Sequence, residues 1–149
     1  MEHELLLYNN MTQKSCAGYV YMILKNKIRI DTVYREYDDY INMYCKYLSL
    51  NFDINEIIGL DVVEKVFDFN ANISADVHIL NQTFYEGLEI LFRLVKAIID
   101  DLDCNLLLLE EGSKVVLERK NNVLYTGINK ESNKVDYPFE LLERKVNII

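Results

Sequence analysis

The stretch from Asn81 to Asn129 constrains the fold of this chain more than any other part of it. Thr83-Phe84-Tyr85-Glu86 has the pattern of a capping box, in which the Thr hydroxyl accepts one orphan backbone N–H and the Glu reaches back to another. Apolar residues then recur at Phe84, Leu88, Leu91, Val95, Ile98 and Leu102, in steps of three and four that place them on one helical face. The acidic turn Asp100-Asp101-Leu102-Asp103 follows, and after it come three short β-type runs, Leu106–Leu109, Val115–Arg119 and Val123–Tyr125. Glu111-Gly112 and Asn121-Asn122 supply the turns between them. The pattern predicts one amphipathic helix laid on a meander, a packing unit with no evident chemistry of its own.

The rest of the chain extends this unit into a single α+β domain spanning residues 1–149. At 149 residues and 50% hydrophobic, it is long enough to bury a sizeable core. Five Gly and one Pro are too few for a linker or a loop-rich array. Glu4–Tyr8 reads as a first strand, and Thr12 caps a first helix over about 12–25, with Ala17, Val20, Ile23 and Leu24 on one face. Between Ile30 and Leu50 two periods compete. Tyrosines at 34, 37, 40, 44 and 47 have helical spacing, whereas Ile41, Met43, Cys45 and Tyr47 alternate as a strand would, and Asp38-Asp39 could turn a hairpin. Asn55–Gly59 reads as a helical turn stopped by Gly, and Val62–Asn70 as a strand. Asn129–Pro138 is a polar loop. The expected architecture is an antiparallel sheet with the first helix and a long main helix, over about 82–102, packed on one face.

Charge narrows the partners. The formal net charge is −8, with residues 1–111 carrying 19 acidic and 9 basic side chains and residues 112–149 carrying 5 and 7. Nucleic acid needs a basic footprint, so it is a poor ligand, and an anionic membrane surface is disfavoured for the same reason. A basic protein partner is allowed, since opposite fields speed encounter, and simple solubility is the alternative reading of the charge. The longest solid apolar run, Leu106–Leu109, is far short of a spanning helix. The acidic start Met1-Glu2-His3-Glu4 and three dispersed cysteines, Cys16, Cys45 and Cys104, predict a cytoplasmic protein.

Motifs for catalysis are thin. His3 and His78 have no Ser or Cys partner in a known arrangement, and no G-x-S-x-G or H-E-x-x-H occurs. Asp101-Leu-Asp103-Cys-Asn105 copies the first ligands of a calcium loop but puts Leu106 where Gly is required and Gly112 where the bidentate Glu belongs. No catalytic residue, cofactor or metal is expected.

The order β–α over residues 4–25, the turn Ile57–Leu60, the strand-like Val62–Asn70 and the long helix lead into the run from Asp103 to Tyr125. Together they resemble the immunity-protein family associated with swarming-inhibition toxins, among the bacterial polymorphic-toxin systems. Leu106–Leu109, Glu111-Gly112, Val115–Arg119 and Val123–Asn129 stand at the family's strand–turn–strand–strand positions, although the family favours Asn-Gly at the turn. The resemblance covers about Ile57 to Asn129 and favours strand for Tyr40–Leu48. It implies an antitoxin that binds and blocks a partner toxin domain. Such a surface needs aromatic anchors with carboxylates around them. Eleven tyrosines are available, and Tyr34, Tyr37 and Tyr40 cluster with Glu36, Asp38 and Asp39. The acidic helix end Asp100, Asp101 and Asp103, continued by Glu110 and Glu111, is a second candidate. The alternative is a small α+β ligand- or protein-binding module without antitoxin duty.

Overall fold

The computed structural model describes all residues from Met1 to Ile149. One nine-stranded sheet runs through it: β1 (Glu2–Tyr8), β2 (Val33–Glu36), β3 (Tyr40–Tyr44), β4 (Leu48–Asp53), β5 (Ile73–Ile79), β6 (Asn105–Glu110), β7 (Lys114–Lys120), β8 (Val123–Thr126) and β9 (Val146–Ile148). Their spatial order is β2-β3-β4-β5-β1-β6-β7-β8-β9, with every neighbouring pair antiparallel except β8 and β9. The expected α+β domain with a mainly antiparallel sheet is therefore what the chain forms. Helix α1 (Gln13–Met22) continues as a π-helical turn to Ile28, and α3 (Phe84–Asp101) follows a 3₁₀ turn at Asn81–Thr83.

Both helices lie on one face of the sheet. Their apolar stripes, including Val20, Leu24, Leu91, Val95 and Ile98, merge with Leu5, Leu7, Leu50, Val77 and Leu106 into one large core. The ambiguous region around residue 40 is resolved by period two. Ile41, Met43, Leu48, Leu50 and Phe52 point into this core, while Asn42, Ser49, Asn51 and Asp53 alternate with them on the other side. The helical spacing of the tyrosines is a by-product of the hairpin. Tyr37 and Tyr40 flank the Asp38-Asp39 turn, and their rings stack 4.6 Å apart across it.

Three expectations need correction. Residues 62–67, expected to open a strand over Val62–Asn70, instead belong to helix α2 (Leu60–Phe67), and Gly59 precedes this helix at φ +90° rather than ending one. The reason is the spacing of Leu60, Val63 and Phe67, which bury against Leu6, Leu107 and Leu109. These sheet residues alternate with Leu5, Leu7, Leu106 and Leu108, so α2 lies on the face opposite α1 and α3. Thr83 does not cap α3: its hydroxyl is buried without a partner because the chain enters through the tight 3₁₀ turn. Thr12 does cap α1, accepting from the Ser15 N–H at 3.1 Å. Strand β5 has no counterpart among the sequence expectations, although Ile73, Ala75, Val77 and Ile79 alternate cleanly along it.

Candidate functional site

α2 covers only the middle of its face, over β1 and β6. Beyond it, the strands β2 to β5 and the first half of β1 present an uncovered row of side chains, fixed by strand register. Arg35 pairs with Asn42, Asn42 with Asn51, Asn51 with Asp76, and Asp76 with Glu4. A second row runs Val33, Tyr44, Ser49, His78 and Glu2. Tyr40 faces Asp53 at one margin, with Tyr37 stacked beside it. Directly opposed strand residues are about 5 Å apart, so these groups sense one another.

This open face is short of cations. Glu2, Glu4, Asp53 and Asp76 share it with Arg35 and with His78, whose Nδ1 meets the Glu2 carboxylate. Partial burial, and then the Asp76 charge, raise the Glu4 carboxyl above its usual range. Asp76 is raised by partial burial and by the charges of Asp53 and Glu2. Neither Glu4, Asp53 nor Asp76 has an ion-pair partner within the protein. Carboxylates without internal cations, on a face that also carries tyrosine rings, are suited to receive ammonium or guanidinium groups from outside.

The eleven residues singled out in sequence do not converge. Tyr37, Asp38, Asp39 and Tyr40 stay together at the β2–β3 hairpin, on the margin of the open face. Tyr34 and Glu36 point to the opposite, helical face, where Tyr34 packs on Tyr21 and Glu36 pairs with Lys14 at 2.7 Å. At the end of α3, Asp100 is clamped by Lys96 at 2.6 Å and Arg144 at 2.7 Å, whose hydrogen bonds hold its carboxyl below the ordinary range. Asp101 accepts from Lys27 and from the Tyr19 hydroxyl, each at 3.1 Å. Glu110 is buried. It accepts a 2.6 Å hydrogen bond from the Tyr137 hydroxyl, which sits 2.8 Å from His3 Nε2, so it offers no surface to a partner. Glu111 holds the β6–β7 turn at φ +51°, its carboxylate accepting from the Glu2 backbone N–H. Asp103 is exposed at the rim of a separate depression of about 590 Å³, lined also by Tyr8, Asn10, Asn105, Asn121 and Asn122.

The residues of the open face that sequence reasoning missed are Glu2, Glu4, Arg35, Asn42, Tyr44, Asn51, Asp53, Asp76 and His78. The signal was the polar half of each alternating run, Ser49/Asn51/Asp53 and Ser74/Asp76/His78, once those runs are recognised as strands. No group of three or more His, Cys, Asp and Glu side chains is arranged to hold a metal ion, and no helix is long and apolar enough to cross a membrane. The chain gives no match to family models, to curated proteins or to solved structures.

Proposed function

We propose that this chain is an immunity protein: an inhibitory binding protein that docks a cationic toxin domain in the cytoplasm of the producing bacterial cell and carries out no reaction itself. The observation that carries the reading is the open sheet face, where Asp53, Asp76 and Glu4 have no internal partners and which also bears Tyr40 and Tyr44, with Tyr37 stacked at its margin. Tyrosine supplies contact area at low entropy cost, and opposite charge supplies steering. The sequence resemblance to the swarming-inhibition immunity proteins points the same way in its long helix and β6–β7–β8 run, while the strand it included at Val62–Asn70 is largely helix α2. The test is co-expression with the product of an adjoining toxin-like reading frame, scored by growth and by co-purification. Rescued growth and a complex weakened by Asp53→Asn/Asp76→Asn are expected. Unrelieved toxicity with no complex overturns the reading, as does turnover of a small molecule that one substitution abolishes.

A second reading, a small-ligand module, draws on the amide-lined depression beside Tyr8. The side chains of Asn10, Asp103 and Asn121 have no hydrogen-bond partner in the protein, and buried Arg119 holds its floor through the Leu102 carbonyl and the Asn122 amide. Amides both donate and accept, which suits a neutral polyhydroxylated ligand. NMR shifts confined to these residues on titrating a neutral sugar would favour it.

A further inference from the structure

Helix α2 carries apolar surface that its own packing does not use. Leu60, Val63 and Phe67 already supply the stripe that seals the smaller core, and Asp61, Glu64 and Lys65 are solvated. Yet Ile58, Val62 and Val66 are 83%, 56% and 65% exposed. Spaced four apart, Val62 and Val66 stack on one flank of the helix, and exposed Ile58 stands just before it, across the left-handed Gly59. Isolated exposed aliphatics are ordinary, whereas three on or just before one short helix offer apolar surface for a partner.

The patch shares its side of the sheet with the acidic face. Leu109, which α2 covers, is in register with Glu4, and Glu4 is in register with Asp76. Two strand spacings, roughly 10 Å, therefore separate the apolar cluster under α2 from the unpaired carboxylate of Asp76. We infer that Ile58, Val62 and Val66 are the apolar anchor of the docking surface, and that its occupant is a segment of a cationic protein whose apolar side chains seat on α2 while its Lys or Arg residues reach Glu4 and Asp76. This rests on the binding role proposed above and specifies the partner's chemistry: apolar residues bordered by cations on one side. A second copy of the chain is a poor occupant, because it would bring Glu2, Glu4, Asp53 and Asp76 toward their own images at a net charge of −8.

The test measures the affinity of the co-purified toxin domain for three forms of the full chain across a salt series. The forms are native, Ile58→Ser/Val62→Thr/Val66→Thr, and Asp53→Asn/Asp76→Asn, each first shown to unfold cooperatively at a Tm no lower than that of the native chain. The ridge variant is expected to bind at least tenfold more weakly with an unchanged slope of log Kd against log salt. The acid variant is expected to flatten that slope. Native-like affinity of the ridge variant overturns the anchor while leaving the docking role intact. Failure of the native chain to bind overturns both. A native dimer in sedimentation that the ridge variant dissociates replaces the cationic partner with a second copy and overturns the choice of occupant.

Discussion

Gly87 offers the sharpest test of how the fold is assembled, because two effects of known size oppose each other there. It lies in α3, where Ala is favoured over Gly by about 1 kcal/mol in a helix interior. A Cβ at this position would sit 2.5 Å from Ile79 Cγ2 and 3.1 Å from the Tyr47 carbonyl oxygen. Non-bonded carbons settle near 3.5–4.0 Å, so something must move by about 1 Å. Ile79 is fully buried and β-branched, which restricts its rotamers, and it is paired with Leu48 across β4 and β5. Overpacking of this kind costs about 1–3 kcal/mol, which exceeds the propensity gain. Gly87→Ala is therefore expected to destabilise by up to about 2 kcal/mol and to lower Tm by up to roughly 6 °C for a domain of this size. Urea melts of native, Gly87→Ala, Ile79→Ala and the double variant complete the cycle. In the Ile79→Ala background the Cγ2 is gone, so Gly87→Ala should be neutral or stabilising, giving a coupling of about 1–3 kcal/mol. A stabilised single variant, or equal costs in both backgrounds, refutes the close approach of α3 to the β4–β5 seam.

Three further outcomes follow from buried and half-buried charges. Burial holds His3 at a pKa of about 4, against 6.5 for an ordinary histidine. The unfolded chain therefore takes up a proton that the folded chain refuses as pH falls from about 6.5 to about 4. Stability from this group is complete above the upper value and falls by up to about 3 kcal/mol at the lower one; an NMR titration placing the ring near 6.5 refutes it. Tyr137→Phe removes the hydroxyl that serves both Glu110 and His3, leaving buried His3 Nε2 unpartnered and Glu110 with Lys114 alone, and should cost about 1–3 kcal/mol in a denaturant melt. Asp76→Asn removes a half-buried charge and its repulsion from Asp53 and Glu2, so the free protein should melt no lower than the native chain while losing affinity for a cationic partner; a lowered Tm counts against uncompensated charge there.

The sequence announced some elements clearly and hid others for identifiable reasons. The long helix and the β6–β7–β8 meander were legible because their apolar periods are long or punctuated by Glu111-Gly112 and Asn121-Asn122, both of which adopt positive φ. α2 was misread because Val62, Val63 and Val66 favour strands by propensity, while the burial of Leu60, Val63 and Phe67 against Leu6 and Leu107 decides for helix. The candidate site suffered most. Contiguous acids such as Asp100-Asp101 attract notice in a sequence, yet they end in ion pairs with Lys96, Arg144 and Lys27. The open face is assembled from single polar residues two apart on five strands, and only pairing register brings Asn42, Asn51, Asp76 and Glu4 into one row.

That contrast within one molecule bears on what the open face is for. Where acids serve only the fold, this chain neutralises them: Glu36 with Lys14, Asp100 with Lys96 and Arg144, Glu110 with Tyr137 and Lys114. Other acids, such as Glu86 and Glu89 on α3, stand in water where charge costs little. Glu4 and Asp76 belong to neither class, being partly desolvated, near other carboxylates and without a cation. A single Lys at Asn51, adjacent to Asp76 in register, would relieve the pair at no cost to the core, since that position points away from it. An amide there leaves the negative field intact. An arrangement that carries repulsion in the free state and would release it on meeting a cation converts strain in the isolated protein into affinity for a partner.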